Sequence, residues 1–401
     1  MYGRRAIAGA VALYGLVLSP AVRADDGGWS VRWDDGFRFE SPDRRFALGF
    51  GGRIQADWTF TDPDGRIDAE VGPVRDGNEF RRARLFVEGR VYERVEFKAQ
   101  YDFAGGDVDF KDVYIGIRDT PIGSLRFGHL KEPFSLEELT SSKYIAFLER
   151  SLPNAFAPQR NTGAMLFDHV GDRFTWAVGL FREADDAGGT ADAEKKLNIT
   201  GRVTGLPLYR DGGRHLLHLG LGFTRKDLGD EPFRFASRPE VHQSPEFVDT
   251  GTIPGDRFKI YGAEIAYVAH RFWLAAERMI ADGDAPSKGD PRFDGTYIQA
   301  GFFLTRDHRR YATASGSFGR MRPEVNFGEE GSGAWELAVR YSSLDLSDAM
   351  VAGGELENLS FAVNWYLNPV TRLMLNYVRS DRDDPAAGES DFFLARFQID
   401  F

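Results

Sequence analysis

The chain has 401 residues, no cysteine, and 61 Asp and Glu against 50 Lys and Arg, for a net charge of -11. The missing cysteines exclude disulfides and thiolate metal sites, and the acidic balance argues against a nucleic-acid partner. Mean hydropathy is -0.37, and nothing beyond residue 24 approaches the roughly 20 apolar residues of a spanning helix, whereas a membrane barrel needs only every second residue to be apolar.

In chain order, Arg4 and Arg5 precede an apolar stretch, Ala6 to Leu18, and the small residues around Val22-Arg23-Ala24. That order is the pattern of a secretory signal peptide cleaved after Ala24. The competing reading, a membrane anchor, is interrupted too early by Pro20 and Arg23. Removing residues 1–24 takes away three arginines and no acid, leaving -14. Residues 25–44, with a short run around Phe37 and Phe39, are expected to be a periplasmic lead-in, and 45–401 a single domain, because no linker divides it.

Within 45–401, apolar/polar alternation recurs between Gly, Pro and Asp clusters, predicting strands at 45–60, 80–91, 94–103, 109–118, 123–130, 160–168, 173–182, 196–205, 215–225, 256–268, 271–280, 294–304, 334–345, 355–367, 370–380 and 391–401. One face of each is apolar, as in Val95, Phe97, Ala99 and Tyr101, or Leu359, Phe361, Val363, Trp365 and Leu367. A soluble sandwich would need a second sheet to cover every such face. An all-β fold, a transmembrane antiparallel β-barrel of about 16 strands, fits better, and 33 Phe, 14 Tyr and 7 Trp suit its two aromatic girdles. The last strand, DFFLARFQIDF, stops on Phe401 in the middle of its alternation. A terminal phenylalanine of this kind resembles the assembly signal of bacterial outer-membrane proteins.

With both termini periplasmic, the short connections at Tyr92-Glu93, Asp119 to Ile122, Ala269-His270 and Asn368-Pro369 fall on the periplasmic side. The external set is 61–79, 104–108, 131–159, 183–195, 226–255, 281–293, 346–354 and 381–390. Connection 305–333 is long yet periplasmic, so a turn is elaborated there or a hairpin is hidden. Sixteen strands leave a water-filled interior, so a channel is the default activity.

The third external connection, Lys131 to Gln159, has a possible capping box at Ser135 and Glu138 and an apolar stripe through Leu136, Leu139, Tyr144, Ile145, Phe147 and Leu148. Those apolar residues need a surface to cover them, so the loop is expected to fold into the lumen, bringing Lys131, Lys143, Arg150 and Arg160 to the constriction. The alternative is a folded surface loop with solvated charges. On the wall, if Ala83, Leu85 and Val87 face lipid, then Arg82, Arg84 and Arg90 face the lumen, and the same phase turns Arg53, Lys98, Arg118 and Arg126 inward. Arginine suits an anion path because its planar fork binds phosphate oxygens in pairs and stays charged. Glu88, Glu96, Asp57, Asp102 and Asp112 share that face, so neutralised structural pairs are the rival role.

The stretches FRRARLFVEGRVYERVEFKAQYDF, KDVYIGI, GHLKEPFSLEELTSSKYIAFLERSLPNAFAPQRNTGAML, GAWELAVRYSSLDL and NLSFAVNWYLNPVTRLMLNYVRS, in this order, resemble the phosphate-selective porins O and P. The likeness covers nearly all of 45–401 and is densest from 80 to 168. It implies sixteen strands, a homotrimer in the bacterial outer membrane in contact with lipid and lipopolysaccharide, a third loop in the lumen, and an arginine ladder with a lysine cluster passing phosphate. Lysine is scarce on the proposed wall, and the family's lysine cluster has no residue-by-residue counterpart here.

The expected function is passive diffusion of small anions, phosphate or phosphorylated solutes, through an arginine-lined constriction. The alternatives are a general anion or carboxylate porin and a plugged adhesin or scaffold. No enzyme, cofactor or metal is expected: His215 and His218 point to opposite faces of one strand, and there is no phosphate-cradling loop and no H-E-x-x-H. Asp185-Asp186 and Asp381 to Asp384 are read as solvated loop acids, with bridging of cations to lipopolysaccharide as the rival.

Overall fold

A computed structural model of the protein describes residues 28–34, 36–190, 197–229, 231–328, 330–383 and 387–401. The expected leader and its cleavage point lie outside the described residues. The wall consists of sixteen antiparallel strands: β1 Phe46–Pro63, β2 Gly77–Val91, β3 Val95–Asp102, β4 Asp109–Thr120, β5 Gly123–Lys131, β6 Arg160–Val170, β7 Phe174–Arg182, β8 Leu197–Arg210, β9 His215–Asp227, β10 Arg257–Ala269, β11 Phe272–Asp284, β12 Arg292–Phe303, β13 Ala334–Asp348, β14 Val351–Asn368, β15 Thr371–Arg382 and β16 Gly388–Asp400. Each pairs with its chain neighbour, and β16 pairs with β1 from Ser390–Pro63 to Asp400–Arg53, so the barrel is closed and keeps no free edge.

At the seam, Gly52 and Phe401 exchange both backbone hydrogen bonds, at 2.6 and 3.0 Å. A side-chain carbon on Gly51 would stand 2.1 Å from the Phe401 carbonyl, so only glycine fits there. Just past Phe401, the lead-in forms a hairpin, Ser30–Trp33 with Phe37–Glu40, that pairs with β1 at Ala47 to Phe50 and prolongs the wall. The lead-in is therefore a built part of the rim.

Period-two alternation decides the two faces. Ile54, Trp58, Leu85, Ile115, Phe127, Leu180, Leu221, Ile298, Phe361, Leu375, Phe393 and Phe397 are all exposed, around the whole circumference. A continuous apolar band of this kind is what hydrocarbon covers. Between them, Arg53, Gln55, Arg82, Arg84, Arg202, Glu264, Glu277, Arg340, Asn364, Arg372, Arg396 and Gln398 are buried on the inward face.

Two details depart from expectation. The connection expected at 346–354 is a tight turn at Ala349 and Met350, because β13 and β14 run on to Asp348 and Val351. Among its described residues connection 305–333 holds no wall strand: it is an elaborated turn whose two-residue strands, Tyr311–Ala312 and Ser317–Phe318, pair with each other.

Two hydrophobic clusters occupy the interior along β8 to β16. They join inward residues such as Phe258, Met279, Phe293, Leu344, Met374 and Phe392 to Phe134, Phe147, Leu152 and Phe156 of segment 132–159, to Phe233, Phe235, Phe247 and Ile253 of segment 228–256, and to Phe318 and Met321 of segment 304–333. Apolar loop residues thus find their cover on the inward face.

A candidate anion pathway

Segment 132–159 is tied to the inward face at both ends and along its length. Its helix is a single turn, Leu136–Leu139, with Ser135 Oγ accepting from the Glu138 N–H at 3.0 Å. Only this half of the expected capping box forms, because the Glu138 carboxylate turns instead to Lys131 at 2.7 Å and Arg150 at 3.2 Å. Burial would raise the Glu138 carboxyl, but Arg150 and Lys131 hold it down at about 2. The Glu277 carboxylate of β11 accepts the N–H groups of Leu136 and Glu137, at 3.0 and 2.7 Å.

Beyond Leu139 the loop is irregular, so its carbonyls need donors from elsewhere. Arginines and an asparagine of the far wall supply them. Arg372 donates to Ile145 O at 2.8 Å, Asn364 to Ala146 O at 2.9 Å, Arg396 to Leu148 O at 2.7 Å and Arg340 to Glu149 O at 3.1 Å. Arg309 of segment 304–333 adds one to Tyr144 O at 2.6 Å. Arg340 also stacks on Phe147, its Cζ 4.2 Å from the ring centroid, and Arg396 pairs with Asp57 through both nitrogens, at 2.7 and 2.6 Å. These arginines hold the loop. Sequence periodicity places them inward but carries no sign of the loop carbonyls they meet.

The opposite side, along β1 to β6, is open: a cavity of about 700 Å³ remains there, lined by twelve Arg and Lys against six Asp and Glu. Eight of the expected residues line it: Arg53, Arg82, Arg84, Lys98, Lys131, Lys143, Arg150 and Arg160. Arg53 and Arg84 are directly opposed on β1 and β2, and Gln55 and Arg82 form the next inward pair. Arg84 reaches Asp102 at 2.6 Å and Arg160 reaches Asp112 at 2.8 Å. Lys98 meets Glu88 at 3.0 Å, and Lys143 meets Asp400 at 3.5 Å.

The other three expected residues do not line the cavity. Arg90 pairs with Glu40 of the lead-in hairpin at 3.0 Å, while Arg118 and Arg126 share Glu96 at 3.8 and 2.7 Å. The cavity also has cations that alternation does not reveal. Arg81 is the extra residue where the β1–β2 register slips between Gln55 and Ala56, and it forks onto Glu149 at 2.9 and 3.1 Å. Lys111 stands at the β3–β4 slip between Ala99 and Tyr101. A bulge adds a residue to one strand and so gives consecutive side chains one direction. Arg38 enters from the lead-in hairpin and meets Glu88, and Arg238 enters from segment 228–256. That segment is pinned by Glu240, which accepts from Arg340, Ser342 Oγ at 2.5 Å, Ser360 Oγ at 3.1 Å and Leu152 N at 3.2 Å.

A closed sixteen-stranded barrel with an apolar outside and a charged inside is a membrane channel of the porin type. The chain matches the family of phosphate-selective porins O and P over residues 44–401 and belongs to it. It is 26% identical to Porin O of Pseudomonas aeruginosa over 98% of this chain and 97% of that one, and 32% identical to an uncharacterized protein of Caulobacter vibrioides over 92% and 77%. Among solved structures it resembles OmpT of Vibrio cholerae, with a TM-score of 0.58, 12% identity, and coverage of 89% and 98%. It also resembles an anion-selective porin from Comamonas acidovorans, with a TM-score of 0.56, 13% identity, and coverage of 89% and 100%. The protein is an outer-membrane porin, and its family and fold are those of a channel rather than an enzyme.

Proposed function

We propose that this porin conducts small anions of the phosphate class by passive diffusion, with segment 132–159 narrowing the lumen to a constriction whose wall is the arginine group of β1 and β2. The observation that carries this reading is the cavity itself: twelve cations against six acids, inside a chain whose net charge is -11. At an effective dielectric of about 20, one unit charge at about 4 Å contributes roughly 4 kcal/mol before desolvation is subtracted. Several staggered cations therefore pass an anion along where one deep site would trap it. Arg53, Arg81, Arg82 and Arg84 form the core of the path, with Lys98, Lys111, Lys131, Lys143, Arg150 and Arg160 around them. Arg90, Arg118 and Arg126 belong to its periplasmic approach.

A homotrimer is part of the proposal, supported by the trimeric form solved for the Vibrio cholerae relative. Contact of the exposed band with outer-membrane lipid and lipopolysaccharide is supported by its extent around the barrel. One observation favours a general anion or carboxylate porin as the second reading: Arg84, Lys98, Arg150 and Arg160 each have a carboxylate partner already, which weakens any single phosphate cradle.

Planar-bilayer recording separates the two. Reversal potentials in a chloride gradient should show anion preference, and phosphate at micromolar concentration should block the chloride current. Anion preference without that block selects the general porin. A cation-selective or silent channel overturns both.

A further inference from the structure

Beyond Arg84, toward the Tyr92–Glu93 turn, the inward wall changes character. Phe86 lines the cavity, with Lys98 Nζ 5.3 Å from its ring centroid. Lys98 is directly opposed to Tyr114 in the β3–β4 register. Arg126 then lies between two rings, its Cζ 4.6 Å from the centroids of both Tyr114 and Phe167. All three rings are half-buried. Behind them, Tyr114 and Phe167 rest on a small apolar cluster that sets their position.

Aromatic faces therefore alternate with cations from the cationic cavity along β2 to β6, with Glu88 on Lys98 at 3.0 Å and Glu96 on Arg126 at 2.7 Å between them. A fully hydrated inorganic anion has no use for such a surface. An anion that carries an organic ring has two: the ring stacks on an aromatic face, and the adjacent ammonium or guanidinium attracts its charged end. We infer that this strip is a second recognition surface and that the preferred solute is a phosphomonoester bearing a ring, its phosphate held by the cavity cations and its ring against Phe86 or Tyr114. The inference rests on the anion-pathway reading above and names the solute class for it. If the rings merely brace Arg126, a ring on the solute makes no difference.

The test compares inorganic phosphate with phenyl phosphate as blockers of chloride current through the full-length porin in planar bilayers, at pH 8, where both are dianions. Phenyl phosphate should block at a concentration about tenfold lower, the scale of one stacking contact. Phe86→Ala and Tyr114→Ala should each bring the two blockers to within about threefold, while Tyr114→Phe keeps the difference. Folding of each variant is checked by its mobility on unheated gels, and the wild-type comparison decides by itself if a variant does not fold. Equal block by the two in the wild type, or a ring preference that survives in every folded alanine variant, overturns the inference. Phosphate block with no ring advantage removes only this inference, whereas no anion preference at all removes the reading beneath it.

Discussion

Arg53 and Arg84 stand directly opposite each other on adjacent strands, both inward and both buried. Like charges so placed destabilise a sheet by up to about 1 kcal/mol. Arg84 has Asp102 as a partner at 2.6 Å, but Arg53 has the Ser142 hydroxyl at 2.7 Å and, among the described residues, no carboxylate within 4.0 Å. On the proposed pathway this pair serves to attract an anion rather than to stabilise the sheet. Arg53→Met should therefore lower the anion-to-cation permeability ratio roughly two- to threefold while leaving the thermal unfolding of the barrel unchanged or raised. Reversal potentials and the temperature at which gel mobility shifts measure the two. A large loss of stability with unaltered selectivity would mark Arg53 as a structural residue.

Arg81 owes its inward position to a bulge and not to alternation, and it forks onto Glu149 at the edge of the cavity. Arg81→Ala removes one cation and takes from Glu149 its two-nitrogen partner, leaving it Arg396 at 3.0 Å and Arg82 at 3.8 Å. Two changes of the same sign follow from one substitution. Arg81→Ala should reduce anion preference more than Arg118→Ala, since Arg118 lies outside the cavity and shares Glu96 with Arg126. Equal effects in the two variants would mean that the cavity is not the selective part of the path.

Why Arg81 and Lys111 escape a reading of the sequence, when Arg82 and Arg84 do not, is a matter of register. A two-residue period is written in the apolar pattern, so the sixteen strands and the direction of Arg53, Arg82, Arg84 and Lys98 follow from that pattern. A bulge leaves that pattern nearly intact on both sides and inverts the phase at one residue, with no residue type to announce it. The inward segments 228–256 and 304–333 are illegible for a different reason. Phe233, Phe235, Phe247 and Ile253 recur with no helix or strand period, and only the tertiary surface they cover gives them a place. Arg340, Arg372 and Arg396 are legible as inward residues, yet their task depends on loop carbonyls 191 to 248 positions away.

Glu240 is the pin of segment 228–256, held by Arg340 and by the hydroxyls of Ser342 and Ser360. Glu240→Ala would leave Arg340 with the longer contact to Glu137, at 3.4 Å, the Glu149 carbonyl and the Phe147 ring. Breaking a buried pair from one side costs about 3–5 kcal/mol, while Phe233, Phe235, Phe247 and Ile253 of the segment each keep about 1.5–3 kcal/mol of burial. The segment should loosen around position 240 while its phenylalanines stay packed, and single-channel conductance should rise modestly with added open-channel noise. Conductance identical to wild type, in a variant that folds, would show that hydrophobic packing alone retains the segment.

Glu138 gathers Lys131 and Arg150 at the entry of segment 132–159, and its carboxyl is held at about 2 although it is buried. An acid whose folded pKa is depressed contributes stability that is present in full above its ordinary value, about 4.3, and that is lost as pH falls through the folded value. The tie therefore survives mild acid. Glu138→Gln removes the charge at every pH but leaves Arg150 on the carbonyls of Glu137, Glu138 and Thr140. Lys131, lowered by burial to about 7, loses the carboxylate that favours its proton, so anion preference should rise over wild type chiefly below pH 7, where Lys131 is protonated. That difference between variant and wild type should grow as pH falls below 7, persist down to about 3 and shrink only below it, as the wild-type carboxyl protonates. Reversal potentials measured on both proteins over that range follow it directly. A difference that already vanishes near pH 5 would mean that the Glu138 carboxylate is not held by its two cations, and that segment 132–159 is anchored chiefly through Glu277 and the far-wall arginines.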